Sequence, residues 1–211
     1  ESCLNPLDVI LSLDRSGSMR SEKNNPPEPF TTVLSTAGNF IKTLTSDDQV
    51  GVVSFGNNAN DESIISKNRD ASSLIVSHMT LSTTTEQTNI TEGLQNSLNQ
   101  LTSGSVRSDS KKIVILLTDG IPTEPANKDI PDYPKISAQK VADEIKSRGI
   151  EIFTIGLGKD VSEGFLKSIS TDDNHYFLAP SKETLAGVYS KIGSGLCPKK
   201  PNVITVMYRL P

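Results

Sequence analysis

The chain has 211 residues, of which 35% are hydrophobic and 22% charged, a balance typical of one globular domain. Its formal net charge of −4 provides no surplus of cations for a phosphate backbone, which disfavours nucleic acid as a partner. No apolar run in the sequence reaches the roughly 18 residues that a membrane-spanning helix needs. With no Trp and 5% aromatic residues, the core must consist mainly of Val, Ile and Leu, as buried parallel strands usually do.

Apolar periodicity divides the chain into alternating strands and helices. Continuous runs of Val, Ile and Leu indicate buried strands, and apolar residues that recur every three or four positions indicate amphipathic helices. In chain order we predict a strand at 7–13, a helix at 30–44, strands at 49–55 and 62–66, a weak helix or extended connection at 72–79, a helix at 88–101, a strand at 112–118, a helix at 134–148, a strand at 151–156, a short helix at 162–169, a strand at 175–178 and a last helix at 181–192. This alternation predicts an α/β fold with a mainly parallel sheet and helices on both faces.

The two cysteines, Cys3 and Cys197, lie at opposite ends of this predicted fold. They are either unrelated free thiols or a disulfide that joins the entry of the domain to its exit. We favour the disulfide because domain termini often lie close together at the surface. A structural disulfide would indicate an exported protein.

The tail after the second cysteine differs in composition from the rest of the chain. It begins as a Pro- and Lys-rich linker, and residues 203–210 then read as an apolar strand with no obvious place in the sheet. We therefore predict one domain over 1–197. The segment 198–211 would be a linker and an extra strand, which either begins a neighbouring domain or adds to a sheet edge.

Three polar clusters lie where predicted strands end or a helix begins. Residues 14–18 (DRSGS) follow the first strand, residues 118–120 (TDG) follow the most strand-like segment, and residues 87–89 (QTN) open a helix between them. Because the carboxyl ends of parallel strands meet at one edge of a sheet, we expect the clusters to lie close together. Each cluster alone is ordinarily a turn or a helix cap, so only their combination indicates a site.

The candidate ligands in these clusters offer oxygen atoms alone, from the side chains of Asp14, Ser16, Ser18, Thr88 and Asp119. Oxygen donors suit a hard divalent cation, and Mg²⁺ fits this set better than Ca²⁺, which takes more ligands and more carboxylates. Neutral hydroxyls are weak ligands, so the two Asp would hold the ion mainly through their charge. A carboxylate from a partner would then complete the coordination, which is a binding function that needs no catalysis.

The same clusters resemble those of a known family. Residues 11–19 (LSLDRSGSM), 88–90 (TNI) and 116–120 (LLTDG) are similar to the metal-ion-dependent adhesion site (MIDAS) of von Willebrand factor type A (VWA) domains. The resemblance covers residues 7–197, nearly the whole chain. It implies a Rossmann-like, doubly wound sheet with one antiparallel edge strand.

Carried over position by position, the resemblance implies a role for each candidate ligand. Ser16, Ser18 and Thr88 would bind the metal directly, and Asp14 and Asp119 would act mostly through water. A partner's Asp or Glu would fill the open position. Mg²⁺ is the expected ion, with Mn²⁺ and Ca²⁺ as alternatives.

The family also implies a place and a partner for the protein. We expect a non-enzymatic adhesion module of an extracellular surface or secreted protein, such as a bacterial pilus adhesin, that binds a matrix or host-cell protein. Bridges that flank the domain occur in secreted members, which agrees with a Cys3–Cys197 disulfide. The main alternative is an intracellular member that assembles with an ATPase, for which free thiols are expected. Mass measurement with and without reductant distinguishes the two.

Enzyme functions are disfavoured by the residues themselves. A haloacid-dehalogenase-like phosphotransferase needs a second Asp two residues after the first, where this chain has Ser16. Gly156 and Gly158 lack the third glycine of a dinucleotide loop. Neither His78 nor His175 lies in the sequence context of a nucleophile. A Mg²⁺-dependent hydrolase is therefore the least favoured alternative.

Overall fold

The computed structural model describes residues 5–22, 28–81, 86–104, 107–159 and 161–196. Its strands are β1 (Leu7–Asp14), β2 (Arg20–Glu22), β3 (Glu28–Pro29), β4 (Gln49–Phe55), β5 (Ala59–Ser66), β6 (Lys111–Thr118), β7 (Glu151–Leu157) and β8 (Tyr176–Ala179). Its helices are α1 (Phe30–Thr43), α2 (Arg69–His78), α3 (Ile90–Leu101), α4 (Tyr133–Ser147), α5 (Glu163–Ile169) and α6 (Leu185–Leu196). No helix within these ranges is both long and apolar enough to cross a membrane.

Six of the strands form the central sheet, in the order β5-β4-β1-β6-β7-β8. β1 is at its centre, where Leu11 is in register with Val52 of β4 and Ile115 of β6. Only the pairing of β4 with the edge strand β5 is antiparallel among the pairs of this sheet. The predicted Rossmann-like, mainly parallel sheet with one antiparallel edge strand is thus confirmed.

Helices cover both faces of this sheet and enclose two apolar cores. Alternate side chains of a strand point to opposite faces, so Val9 and Leu11 of β1 face one core and Ile10 faces the other. The first core includes side chains of α1, α2 and α6, and the second includes side chains of α3, α4 and α5. β1 and β6 have helices on both sides, which explains their almost uninterrupted apolar sequences.

The structure corrects several predicted boundaries. β5 begins at Ala59 rather than at residue 62, because its first residues are polar and lie on an exposed edge that needs no apolar run. α3 begins at Ile90 rather than at residue 88, because the Asn89 side chain accepts a hydrogen bond from the Glu92 N–H and caps the helix there. The segment 72–79, predicted as a weak helix or an extended connection, is helical as far as His78, the last residue of α2.

Two further differences concern the ends of elements. The last helix has two parts: a 3₁₀ turn at Lys182–Thr184 precedes α6, which extends to Leu196. β2 and β3 form a short antiparallel pair that was not predicted from the sequence. Cys3, Cys197 and the segment 198–211 lie outside the described residues, so the disulfide and the extra strand stay predictions.

Candidate metal centre

The centre is built first around the end of β1, where Asp14 is fully buried. Its Oδ2 accepts a hydrogen bond of 2.6 Å from the hydroxyl of Thr118, the last residue of the neighbouring strand β6. Its Oδ1 accepts a bond of 2.8 Å from the backbone N–H of Ser16. The carboxylate is therefore fixed by the sheet on one side and by its own loop on the other.

A chain of hydroxyl groups joins the loop after β1 to the loop after β6. The Ser16 and Ser18 hydroxyls lie 3.0 Å apart, and the Ser18 hydroxyl donates to Asp119 Oδ1 at 2.7 Å. A 3₁₀ turn over Gly17–Met19 holds these residues, and the fully buried Met19 side chain anchors the turn in the core. Two of the three predicted clusters are thus directly bonded to each other.

Thr88, from the third cluster, approaches the same place. A carbon placed at the Cβ position of Gly120 would lie 3.7 Å from the Thr88 hydroxyl and 3.9 Å from the Ser18 hydroxyl. Gly120 directly follows Asp119, so the Thr88 and Ser18 hydroxyls both lie close to the loop that carries Asp119. All five predicted residues therefore lie at the carboxyl edge of the sheet.

The electrostatics of the centre reflect two carboxylates in a restricted space. Burial and the neighbouring charge of Asp119 raise the pKa of Asp14 from its ordinary value of 3.8 to about 7. Burial likewise raises the pKa of Asp119. Hydrogen bonds from Ser16 and Thr118 oppose the rise at Asp14 without cancelling it. The ionised form of this pair is costly unless a positive charge arrives.

Arg15, which is adjacent to Asp14 in sequence, does not provide that charge. Its guanidinium points to the edge of the sheet, where Nη1 forms an ion pair of 2.9 Å with Glu62 of β5. Its Nη2 donates to the carbonyl of Thr80 at 3.3 Å. No Lys, Arg or His side chain in the described ranges forms an ion pair with Asp14 or Asp119. The two carboxylates therefore lack a cationic partner there.

The donor set fits a hard divalent cation. Oxygen atoms of two carboxylates and three hydroxyls are the ligands that such ions prefer. Among the described residues, no group of three His, Cys, Asp or Glu side chains lies together as a metal site. Of the five candidate residues at this edge, only Asp14 and Asp119 carry a carboxylate, and the other three contribute hydroxyl groups.

Sequence reasoning missed three contributors to the centre. Thr118 holds the Asp14 carboxylate, Thr123 binds the backbone of Thr88, and Glu62 draws the Arg15 side chain away. Thr118 could have been recognised from its position at the strand end. The other two could not, since each is more than 30 residues from its partner in the sequence.

A family model supports the identity of the whole fold. The model for the von Willebrand factor type A domain matches residues 8–191. The chain belongs to this family. The match includes all five residues of the candidate centre, so the VWA family and the local geometry point to the same edge of the sheet.

Relatives of this VWA domain occur in longer proteins. The thrombospondin-related anonymous protein of Plasmodium falciparum is 31% identical over 175 residues, which are 78% of this chain and 28% of that protein. The chain spans less than half the length of each of the three curated relatives that it matches.

Solved structures share the fold at low sequence identity. Proximal thread matrix protein 1 from the mussel byssus, with a zinc-occupied MIDAS motif, has a TM-score of 0.76 at 23% identity, covering 91% of this chain and 48% of that one. The pilus adhesin SpaC from Lactobacillus rhamnosus GG has a TM-score of 0.74 at 18% identity, covering 93% of this chain and 31% of that one.

Proposed function

We propose that this VWA domain is an adhesion module that binds a protein ligand through a divalent cation. The observation that carries the proposal is the meeting of Asp14 and Asp119 with three hydroxyl groups at one sheet edge, where no cationic side chain of the described residues forms an ion pair with either Asp. Such a pair of carboxylates is stabilised by a bound cation. The five candidate residues offer only two charged ligands, which would leave that cation open to a further carboxylate.

The proposed coordination leaves a position for the ligand. The hydroxyls of Ser16, Ser18 and Thr88 would bind the cation directly, and the two Asp would act mostly through water. A cation held by neutral hydroxyls keeps much of its positive character, so it attracts an Asp or Glu side chain of the ligand. Mg²⁺ is the proposed ion because the five candidate residues include only two carboxylates, and Ca²⁺ takes more ligands and more carboxylates.

Comparison with other proteins supports an adhesive role. The similar folds include a pilus adhesin and a matrix protein of the mussel byssus, and the latter holds zinc at its MIDAS motif. We accordingly place the domain in an extracellular surface or secreted protein, whose ligand is a matrix or host-cell protein. Catalysis is no part of the proposal, since the function needs only a cation and an incoming carboxylate.

Titration calorimetry with MgCl₂ alone tests the cation site. We expect two variants to lose measurable Mg²⁺ binding: Asp119→Ala, and the double variant Ser16→Ala with Ser18→Ala. This loss corresponds to a fall in Mg²⁺ affinity of at least about a hundredfold. The matched control is Asp143→Ala, because Asp143 is an exposed carboxylate on α4. Unchanged Mg²⁺ affinity in the site variants, or no binding by the wild type, would refute the proposal.

A second experiment tests adhesion. The wild type is screened on immobilised extracellular-matrix proteins in Mg²⁺ and in EDTA, together with Asp119→Ala. Binding that needs Mg²⁺ and disappears in the variant supports the adhesive function. Binding that is equal in EDTA, or equal in the variant, contradicts it.

A further inference from the structure

Thr88 differs from the other candidate ligands in how its position is determined. Asp14 ends β1, and Asp119 directly follows β6, so the central sheet fixes both. Thr88 lies in the segment 86–89, which is neither strand nor helix, and α3 begins only at Ile90. Its hydroxyl must therefore be located by contacts outside regular structure.

Its two neighbours are bonded to the turn between β4 and β5. The Asn89 N–H donates to the Gly56 carbonyl at 2.8 Å, and the Gln87 N–H donates to Asn57 Oδ1 at 3.0 Å. This turn contributes none of the five candidate ligands. These contacts alone would fix Thr88 relative to β4 and β5, and not relative to Asp119.

Thr123 provides the contact to the other side. The Thr88 N–H donates to the Thr123 hydroxyl at 2.9 Å, and the Thr123 N–H donates back to the Thr88 carbonyl at 2.9 Å. The Glu124 N–H also lies 3.3 Å from that carbonyl. Both backbone polar groups of Thr88 are therefore bound by the loop between β6 and α4.

That loop is the one that carries Asp119. Between Asp119 and Thr123 the chain has only Gly120, Ile121 and the buried Pro122. A short segment with a buried proline has little freedom to change its length or direction. Binding Thr88 to Thr123 therefore also sets the distance between the Thr88 hydroxyl and the Asp119 carboxylate.

We infer that Thr123 is a positioning residue for the cation site, which holds Thr88 at the correct distance from Asp119 and Ser18. This inference rests on the proposed function. The Thr123 hydroxyl would not touch the cation, and it acts only through the backbone of Thr88. A partner group of this kind typically changes metal affinity by about 10- to 100-fold when it is removed.

An internal control exists in the same molecule. The Ile152 N–H donates to the Thr171 hydroxyl at 2.7 Å, and the Thr171 N–H donates to the Ile152 carbonyl at 3.0 Å. This reciprocal pair repeats the arrangement of Thr88 and Thr123. Ile152 lies near the start of β7, at the sheet edge opposite the candidate centre. Loss of the Thr171 hydroxyl thus removes an equivalent bond far from the site.

The experiment compares Mg²⁺ affinity and thermal unfolding in Thr123→Val, Thr123→Ser and Thr171→Val. We expect Thr123→Val to bind Mg²⁺ about tenfold more weakly. Thr123→Ser keeps the hydroxyl and should bind like the wild type, and so should Thr171→Val. In EDTA, Thr123→Val should unfold at no lower temperature than Thr171→Val, which separates positioning from a general loss of stability.

Two results would overturn this inference and leave the proposed function standing. Either Thr123→Val binds Mg²⁺ with the affinity of the wild type, or Thr123→Ser loses as much Mg²⁺ affinity as Thr123→Val. A wild type without Mg²⁺ binding would instead overturn the proposed function, and the inference with it. Mg²⁺ binding by the wild type is measured first, so failure of the proposed function is distinguished from failure of the role of Thr123.

Discussion

β1 carries a fully buried aspartate at each end, and the two ends treat that aspartate differently. Asp8 forms an ion pair with the guanidinium of Arg107 and accepts a hydrogen bond from the Ser110 hydroxyl. Among the described residues, Asp14 accepts hydrogen bonds only from neutral groups, and the charge that acts on it is that of another carboxylate, Asp119. The same residue type on the same strand is thus compensated by a cation at one end and, among the described residues, by no cation at the other.

This difference separates a charge that the fold itself neutralises from a charge in the proposed cation site. A buried carboxylate costs several kcal/mol unless a cation or several hydrogen bonds compensate it. At Asp8 the chain supplies its own cation, and that end of the sheet needs no ligand. At Asp14 no cationic side chain of the described residues forms an ion pair, and the adjacent Arg15 is bound to Glu62 instead. Under the proposed function, a cation from solution would compensate Asp14.

The largest effect is expected from breaking the compensated end. Asp8→Ala leaves the partly buried Arg107 guanidinium without its carboxylate, and we expect the free energy of unfolding to fall by about 3 kcal/mol. Denaturant unfolding in EDTA measures this loss, and calorimetry should show unchanged Mg²⁺ affinity. If the free energy of unfolding fell by less than about 1 kcal/mol, or if the Mg²⁺ affinity of Asp8→Ala fell, the two ends of β1 would not differ in this way.

A smaller effect of opposite sign is expected at the uncompensated end. The raised pKa of Asp14, about 7 against 3.8, means that the folded protein binds a proton more tightly than the unfolded chain. The free energy of unfolding without cation therefore falls as the pH rises from about 4 to about 7. Asp14→Asn removes this titration, and in EDTA at pH 7 it should be more stable than the wild type by about 2 kcal/mol.

Unfolding of wild type and Asp14→Asn at pH 4 to 8 checks this sign. The difference in EDTA should shrink towards pH 4, where Asp14 is protonated in the folded protein but still partly ionised in the unfolded chain. Saturating Mg²⁺ at pH 7 should stabilise the wild type and leave the variant unchanged. A pH-independent difference would show that Asp14 is not the titrating group.

The smallest effect is expected from Gly120→Ala. The added methyl group would lie 3.7 Å from the Thr88 hydroxyl and 3.9 Å from the Ser18 hydroxyl, which is ordinary contact. The fold should tolerate it within about 0.5 kcal/mol. Mg²⁺ affinity should fall by less than about tenfold, since the methyl group crowds two proposed ligands without removing either. Gly187→Ala in α6 is the control, because a carbon there meets nothing within 4 Å.

Most of the fold could be predicted because its signals are local. The buried strand β6 shows an unbroken apolar run, and α1 shows a helical repeat of apolar residues, so their bounds were predicted to within one residue. β2 and β3 were missed because two or three residues are too few to show an alternating pattern. β5 was predicted too short because polar residues of an exposed edge give no apolar signal.

The five candidate ligands could be predicted for a related reason. Parallel strands bring their carboxyl ends to one edge, so Asp14 and Asp119 had to be close once their strands were adjacent. The bonds that tune the site could not be predicted in this way. Arg15 and Glu62 are 47 residues apart, and Thr88 and Thr123 are 35 residues apart, so both contacts depend on how loops fold over the sheet.

The sequence by itself determined the α/β sheet and the family and predicted the candidate oxygen ligands, because periodic apolar runs and short motifs encode them locally. Only the tertiary structure decided which charges are compensated. Asp8 and Asp14 are alike in sequence and in burial, yet one lies against Arg107, 99 residues away, and the other against a second carboxylate. Electrostatic energy depends on distances between groups in space, which no local pattern specifies.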